Sequence, residues 1–452
     1  MVIEFVNGTS VPLASIPTLG IEDFVRQFVA PRRVLALWRL PDARIAAVLG
    51  DPSRGKLVAC ATPSETYVPF ARRVPAVQRF ERELLGDPDR EPVTPLKGEA
   101  AHEVAVGPVH AGVIEPGHFR FQCLGEDVHS LEIRLGYQHR GAEKLIVEAT
   151  TDARRLALAE TVAGDTSIAA TIAACKALGL PVASNLMTLL LELERIANHV
   201  GDLGALSGDV AYLPTASFCG RIRGEYLNMT AEICGNRFGR NSLAAAPLSS
   251  ETREKLLVWF TRTEDDLFHA LDLLFSEAGA RERFEGTGRV PRELAQEIGL
   301  VGMAGRASGL AVDSRVDFPF ADEKLRATLV TREYEPTGDV LSRARQRFEE
   351  LRTAHSLAKN ELRSGAVLTA PAVAPVPEPP SDALTVAVVE AWRGELVHLA
   401  VRDASSYVTQ YKIFDPSYHN WFGLAQALRG EQISNFPVCN KSFNLSYCGV
   451  DR

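Results

Sequence analysis

No two of the seven cysteines stand three positions apart. They occupy 60, 123, 175, 219, 234, 439 and 448, so no C-x-x-C pair exists to bring thiolates to one soft metal ion. Their odd number and wide scatter do not suit a disulfide framework either, and they read as buried core thiols in a reducing compartment. Long apolar runs are also missing. Nothing approaches the roughly 18 residues that a spanning helix needs, and the acidic start Met-Val-Ile-Glu is unlike a charged signal region, so membrane attachment is expected to come through partners. Positive charge is scarce: 49 Lys and Arg face 57 Asp and Glu, for a net charge of -8. That balance offers no basic face for nucleic acid.

What is present is an ordinary globular composition, 46% hydrophobic and 23% charged over 452 residues, long enough for more than one domain. From 1 to about 95, the β-branched runs Val34 to Trp38 and Ile45 to Leu49 accompany an amphipathic stretch from Ile21 to Phe28. They predict a small α+β unit. It closes at Phe80-Glu81-Arg82-Glu83-Leu84-Leu85, after which Pro92 and Pro95 mark a linker. Phe119 to Leu124 and Val128 to Ile133, separated by Gly125-Glu126-Asp127, predict a hairpin. A long Ala/Leu-rich helical region follows. There Leu186, Leu190, Leu193, Ala197, Val200 and Gly204 recur at helical spacing, which makes Met187 to Leu203 an amphipathic helix with Glu192, Arg195, His199 and Asp202 on its other side. A second helix is predicted from Val340 to about Leu362. A Pro-rich connector spans 369–381, and strands resume at Leu384 to Glu390 and Leu396 to Val401. The fold class expected is α+β: a small N-terminal domain, then a β-hairpin region, a central helical bundle and a C-terminal β segment.

Gly107-Pro108-Val109-His110, Glu115-Pro116-Gly117-His118-Phe119-Arg120 and Gly136-Tyr137-Gln138-His139-Arg140-Gly141-Ala142-Glu143-Lys144 occur in that order. They resemble the family shared by the complex I 49-kDa subunit and the large subunits of group 4 membrane-bound nickel-iron hydrogenases. Glu192 to His199, Arg221-Ile222-Arg223-Gly224-Glu225, Gly235-Asn236-Arg237-Phe238, Arg306 to Gly309, Gly338-Asp339-Val340, Arg393-Gly394-Glu395-Leu396, Gly430-Glu431-Gln432 and Val450-Asp451-Arg452 continue the resemblance from about residue 100 to 452. Residues 1–95 resemble the complex I 30-kDa subunit through Phe80-Glu81-Arg82-Glu83, so the chain looks like a fusion of the two.

The departures decide the chemistry that this resemblance implies. The family's first cysteine pair would fall within Thr161 to Ser167, which has no cysteine, and the second on Ser446 and Gly449, with Cys448 between them. Asp165, Thr166 and Ser167 put hard oxygen groups where thiolates would be, which suits water, protons or a polar ligand rather than nickel. The quinone-contacting tyrosine of the complex I branch is missing as well, since no tyrosine lies between Tyr137 and Tyr212.

His110, Glu115 and His118 form the candidate proton-exchanging or quinone-contacting loop. The alternative is a plain turn built around Pro116-Gly117. Glu143 reads as an acid favoured at a helix N-terminus. By resemblance, Arg195, His199, Arg221 and Arg223 would lie near an iron-sulfur cluster of a partner subunit; as residues alone they read as solvated or ion-paired stripes.

The implied protein is a peripheral subunit on the cytoplasmic face of a membrane complex. It would bind no metal of its own, neither nickel nor iron, and would pack on a small iron-sulfur subunit of the complex I 20-kDa type. A ferredoxin-like subunit and antiporter-like membrane-arm subunits are the further partners implied. A quinone or another small acceptor is the expected ligand, and a catalytically silent scaffold is the alternative. The ending Val450-Asp451-Arg452 carries the further expectation that no C-terminal peptide is removed during maturation.

Overall fold

The computed structural model describes residues 2–29, 31–86, 96–98, 100–110, 114–319, 333–371 and 380–452. The linker at Pro92 and Pro95 and most of the 369–381 connector lie outside the described residues. The architecture is α+β.

The first sheet is antiparallel, with β1 (Ile3–Phe5), β5 (Lys56–Thr62), β4 (Ile45–Asp51) and β3 (Arg33–Arg39) in that order across it. The β-branched runs predicted as strands are β3 and β4, and the helices Ile21–Val25 and Gln78–Leu84 pack against this sheet. The second sheet runs β11 (Val408–Phe414), β10 (Gly394–Arg402), β9 (Ala383–Ala391) and then β2 (Ser10–Pro12). An N-terminal strand is therefore hydrogen-bonded to the C-terminal part of the chain. Asn7 strengthens the join: its amide donates to Phe318 O at 2.7 Å and Val388 O at 2.8 Å, and its carbonyl accepts from Val388 N at 2.8 Å. The predicted hairpin is β7 (His118–Leu124) and β8 (Asp127–Arg134), turned at Gly125 with φ 62°, with β6 (Ala101–Val106) on the outer side of β7.

Four long helices, Asn185–Asp209, Leu213–Cys234, Ser250–Ser276 and Val340–Arg363, form the central bundle. Three of them start at residues that accept from their first-turn N–H groups: Ser184 from Met187, Ser249 from Thr252 and Asp339 from Ser342. Such caps satisfy donors that a helix leaves open. Ser167–Leu178 covers β9 and β10, which are buried along their whole length.

The helix at 185–209 is not amphipathic in the expected sense. Leu186, Leu189, Leu190 and Leu193 are buried, each burial contributing roughly 2 kcal/mol, but so are Glu192, Arg195, His199 and Asp202 on the other side. Helix Val340–Arg363 packs against this helix and supplies Arg347 and Glu350 as partners for the polar stripe. The solvated-stripe reading is thereby corrected to internal ion pairing. No helix among the described residues is long and apolar enough to cross a membrane.

Candidate functional site

The segment at the first thiolate position, 161–167, lies against the β9–β10 turn and the C-terminal segment. That turn is held where Gly302, at φ 59°, meets it: a Cβ on Gly302 would lie 2.2 Å from Arg393 O and 2.2 Å from Gly394 Cα. Only glycine fits so close an approach at such a φ. Arg393 then reaches Asp165 with two parallel bonds, Nη1 to Oδ1 at 2.8 Å and Nη2 to Oδ2 at 2.8 Å, while its Nε donates to Asn444 O at 2.6 Å.

The Arg393 guanidinium lies over the Trp392 ring at 3.9 Å, and the indole N–H donates to Asp165 O at 3.0 Å. Burial by itself would raise the Asp165 carboxyl; Arg393 and the Thr166 hydroxyl outweigh it and hold the group below its ordinary value. The side chain still keeps 33% of its surface open.

At the second thiolate position, Ser446 N donates to Ser417 Oγ at 2.8 Å and Gly449 N to Ser446 Oγ at 2.9 Å. Cys448 is half-buried, its sulfur 3.6 Å from Ser446 Oγ. Burial, then Glu115, push its thiol up to about 12, so it is protonated at neutral pH. A nickel centre of the hydrogenase kind does not fit this donor set: one carboxylate already held by Arg393, and one neutral thiol. No group of three or more His, Cys, Asp or Glu among the described residues is placed to hold a metal ion.

The candidate loop is only partly drawn together, and its residues 111–113 lie outside the described ones. The Glu115 carboxylate accepts from Tyr447 N and Cys448 N, both at 3.3 Å. The His110 ring lies 5.8 Å from Phe119 and 6.5 Å from Tyr447, and its buried Nε2 has no partner among the described residues. His118 opens β7, opposite Arg134 and within electrostatic reach of Glu103. Cys448, in the field of both Glu115 and Asp165, is what links the two candidate regions. Glu143 pairs with Lys412 at 2.8 Å and Arg452 at 2.7 Å and accepts from Ile413 N, so it docks its helix on β11.

Asp165 does open on a groove. About 510 Å³ of space is bounded by Asp165, Asn198, Asp202, Arg223, Lys441 and Asn444, over a floor of small residues. Arg223 crosses Gly201, where a Cβ would meet its Cδ and Nε at 2.9 Å. Among the described residues Arg223 and Lys441 make no hydrogen bond or ion pair, whereas Asp202 is held by Arg347 at 2.8 Å and Asn444 at 2.6 Å. Arg221 does not join them; it is exposed and pairs with Asp266 at 2.6 Å. Arg195 and His199 lie behind the groove wall, 1% and 0% exposed, and present no surface to a partner.

Sequence reasoning missed Lys441, Asn444 and the clamp from Arg393. It also missed Glu194, which accepts from Ile168 N at 2.7 Å and Ala169 N at 3.2 Å and which burial pushes up to about 8. The available signal was the spacing of Gly201, Gly204, Ala205 and Gly208, which leaves one helix face bare.

The geometry meets its parallels at this point. The family model described as the 49-kDa subunit of respiratory-chain NADH dehydrogenase matches residues 209–375. Hydrogenase-4 component G of Escherichia coli is 27% identical over 439 residues, 94% of this chain and 75% of that protein. NADH-quinone oxidoreductase subunit 4 of Thermus thermophilus is 27% identical over 413 residues, 83% of this chain and all of that protein. The chain is similar to complex I 49-kDa subunits and to hydrogenase large subunits. A solved chain of a membrane-bound sulfane sulfur reductase, an archaeal respiratory membrane complex, has the same fold: TM-score 0.68 at 21% identity over 80% of this chain and all of that one. The proteins it resembles are parts of membrane-bound respiratory complexes.

Proposed function

We propose that this chain is the large subunit of a membrane-associated, energy-converting oxidoreductase complex that has no nickel chemistry, with its groove contacting a quinone or another small electron acceptor. The observation that carries the reading is the groove at Asp165, where Arg223 and Lys441, which make no hydrogen bond or ion pair among the described residues, face a space of about 510 Å³. Fixed positive charge at that place suits an acceptor that gains negative charge on reduction. A small iron-sulfur subunit of the 20-kDa type closes the groove in this reading, a ferredoxin-like subunit feeds it, and antiporter-like subunits form the membrane arm on whose cytoplasmic face the chain sits. Residues 1–95 take the place of a fused 30-kDa subunit, and 100–452 that of the 49-kDa partner.

A silent scaffold is favoured by a different observation: Arg393 and Trp392 fill the space behind Asp165. The assembled complex, reduced with methyl viologen and offered a water-soluble benzoquinone, separates the two. Benzoquinone reduction that falls about tenfold in Lys441→Met or Arg223→Met, with partner clusters still reduced, supports the acceptor groove. Absence of benzoquinone reduction in the wild-type complex, with its clusters reduced, supports the scaffold.

A further inference from the structure

The densest collection of ionisable groups outside the groove lies directly behind it. Glu350 is the hub: its Oε1 accepts from Arg306 at 2.9 and 2.8 Å, and its Oε2 takes the Nε2–H of His199 at 3.0 Å. Arg306 turns its remaining nitrogen to Glu390 at 2.7 Å, and Arg195 donates to Glu192 at 3.1 Å. Arg315 grips Asp313 at 2.7 Å and lies 3.9 Å from Glu192. Every one of these groups is buried.

Three guanidiniums, those of Arg195, Arg306 and Arg315, thus face four carboxylates, those of Glu192, Asp313, Glu350 and Glu390, with a single imidazole beside them. Within this set the carboxylates exceed the guanidiniums by one, and an unpaired charge in a core is very costly. The adjoining ion pairs do not cancel it. Arg347 is taken by Asp202, Arg393 by Asp165, and Arg33 already faces two acids, Glu395 and Asp317.

We infer that the cluster is a proton-storing site: it keeps one proton, on Glu390 or on His199 as alternatives, and exchanges it with the acceptor groove through Nδ1 of His199. That nitrogen is buried and has no hydrogen-bond partner among the described residues, whereas the other is spent on Glu350, so Nδ1 is where a proton can arrive or leave. Asp202, one turn further along the same helix, and Asn198, the neighbour of His199, both line the groove.

The two sites lean in the directions such sharing needs. Burial pushes the Glu390 carboxyl up against the pull of Arg306. Burial also pushes His199 down, against the hydrogen bond to Glu350. These directions favour Glu390 over His199 as the resting place of the proton. When Glu390 releases it and His199 binds one at Nδ1, the charge of the cluster is unchanged; the imidazolium then gives that proton to a reduced, anionic acceptor, and Glu390 takes up a replacement proton from solvent. The electron comes from the partner's cluster, so this exchange rests on the acceptor-groove reading above.

The assembled complex provides the test through infrared spectra in water and deuterium oxide. A carboxylic acid band that shifts on deuteration is expected in the wild type at neutral pH and is absent from Glu390→Gln; the band of Glu194 remains and serves as the internal reference. In His199→Gln the Glu390 band is expected to survive and reduction of the partner's clusters to stay unchanged, while benzoquinone turnover falls about tenfold and its pH profile shifts. If Glu390→Gln fails to assemble, a pH titration of the wild-type band replaces it, and a spectrum with no exchangeable acid band beyond one would overturn the storage. Benzoquinone turnover by His199→Gln at the wild-type rate and pH profile would overturn the exchange. A wild-type complex that keeps the Glu390 band but reduces no benzoquinone would overturn the groove reading and the exchange with it, leaving the stored proton standing.

Discussion

At the scale of single residues, fixed charges wall the groove. Arg393 pairs with Asp165, and Arg347 and Asp202 hold the groove wall beside them. The second pair is the deeper, with side chains 0% and 5% exposed. Removing one partner leaves a buried charge alone, so Arg347→Met is expected to destabilise the protein by about 3 kcal/mol. The double variant Arg347→Met, Asp202→Asn should recover a large part of that loss, as read from urea midpoints. Asp202 was visible in the sequence only as one position of a helical stripe. Its partner lies 145 positions away, a pairing that no local pattern encodes.

At the scale of elements, the bundle is joined by buried polar contacts as well as by apolar packing. His355, on Val340–Arg363, shows the consequence. Its Nδ1–H donates to Leu351 O at 2.7 Å and its Nε2 accepts from Tyr226 OH at 2.7 Å, which fixes the neutral tautomer. Burial pushes it down to about 4. The unfolded chain, with a histidine near its ordinary pKa of about 6.5, binds the proton first. Stability from this group is therefore full above about pH 6.5 and falls by roughly 1.4 kcal/mol per pH unit down to about pH 4. His355→Gln should flatten that part of the stability profile in denaturant titrations at successive pH values. His419, also pushed down to about 4, adds a slope of the same sign. Periodicity revealed both long helices of the interface, at 185–209 and 340–363, yet could not say that each would lay its charged face on the other.

At the scale of the whole molecule, Asn7 is a test of how the N-terminal segment is joined to the rest. Asn7→Ala would strand three buried backbone groups, at Phe318 and Val388, and is expected to destabilise the protein by about 3 kcal/mol. Urea unfolding followed by tryptophan fluorescence should show the change. The purified complex is expected to contain less than stoichiometric nickel per copy of this chain. About one nickel per chain by elemental analysis would contradict the metal-free reading of Asp165 and Cys448.

The sequence by itself determined the fold class, the hairpin at 118–134, the long helices, the order of motifs and the absence of paired cysteines. Each of these is local: alternation, helical spacing, turn residues and cysteine intervals are written within a few dozen positions. Only the tertiary structure decided that Glu192, Arg195 and His199 face inward, that Arg393 closes on Asp165, and that Arg223 and Lys441 share a groove. A helical repeat specifies which side chains lie on one face of a helix. What covers that face depends on partners about 150 residues away, and in this chain the cover is another charged helix, which turned an apparent surface stripe into a buried ionic core.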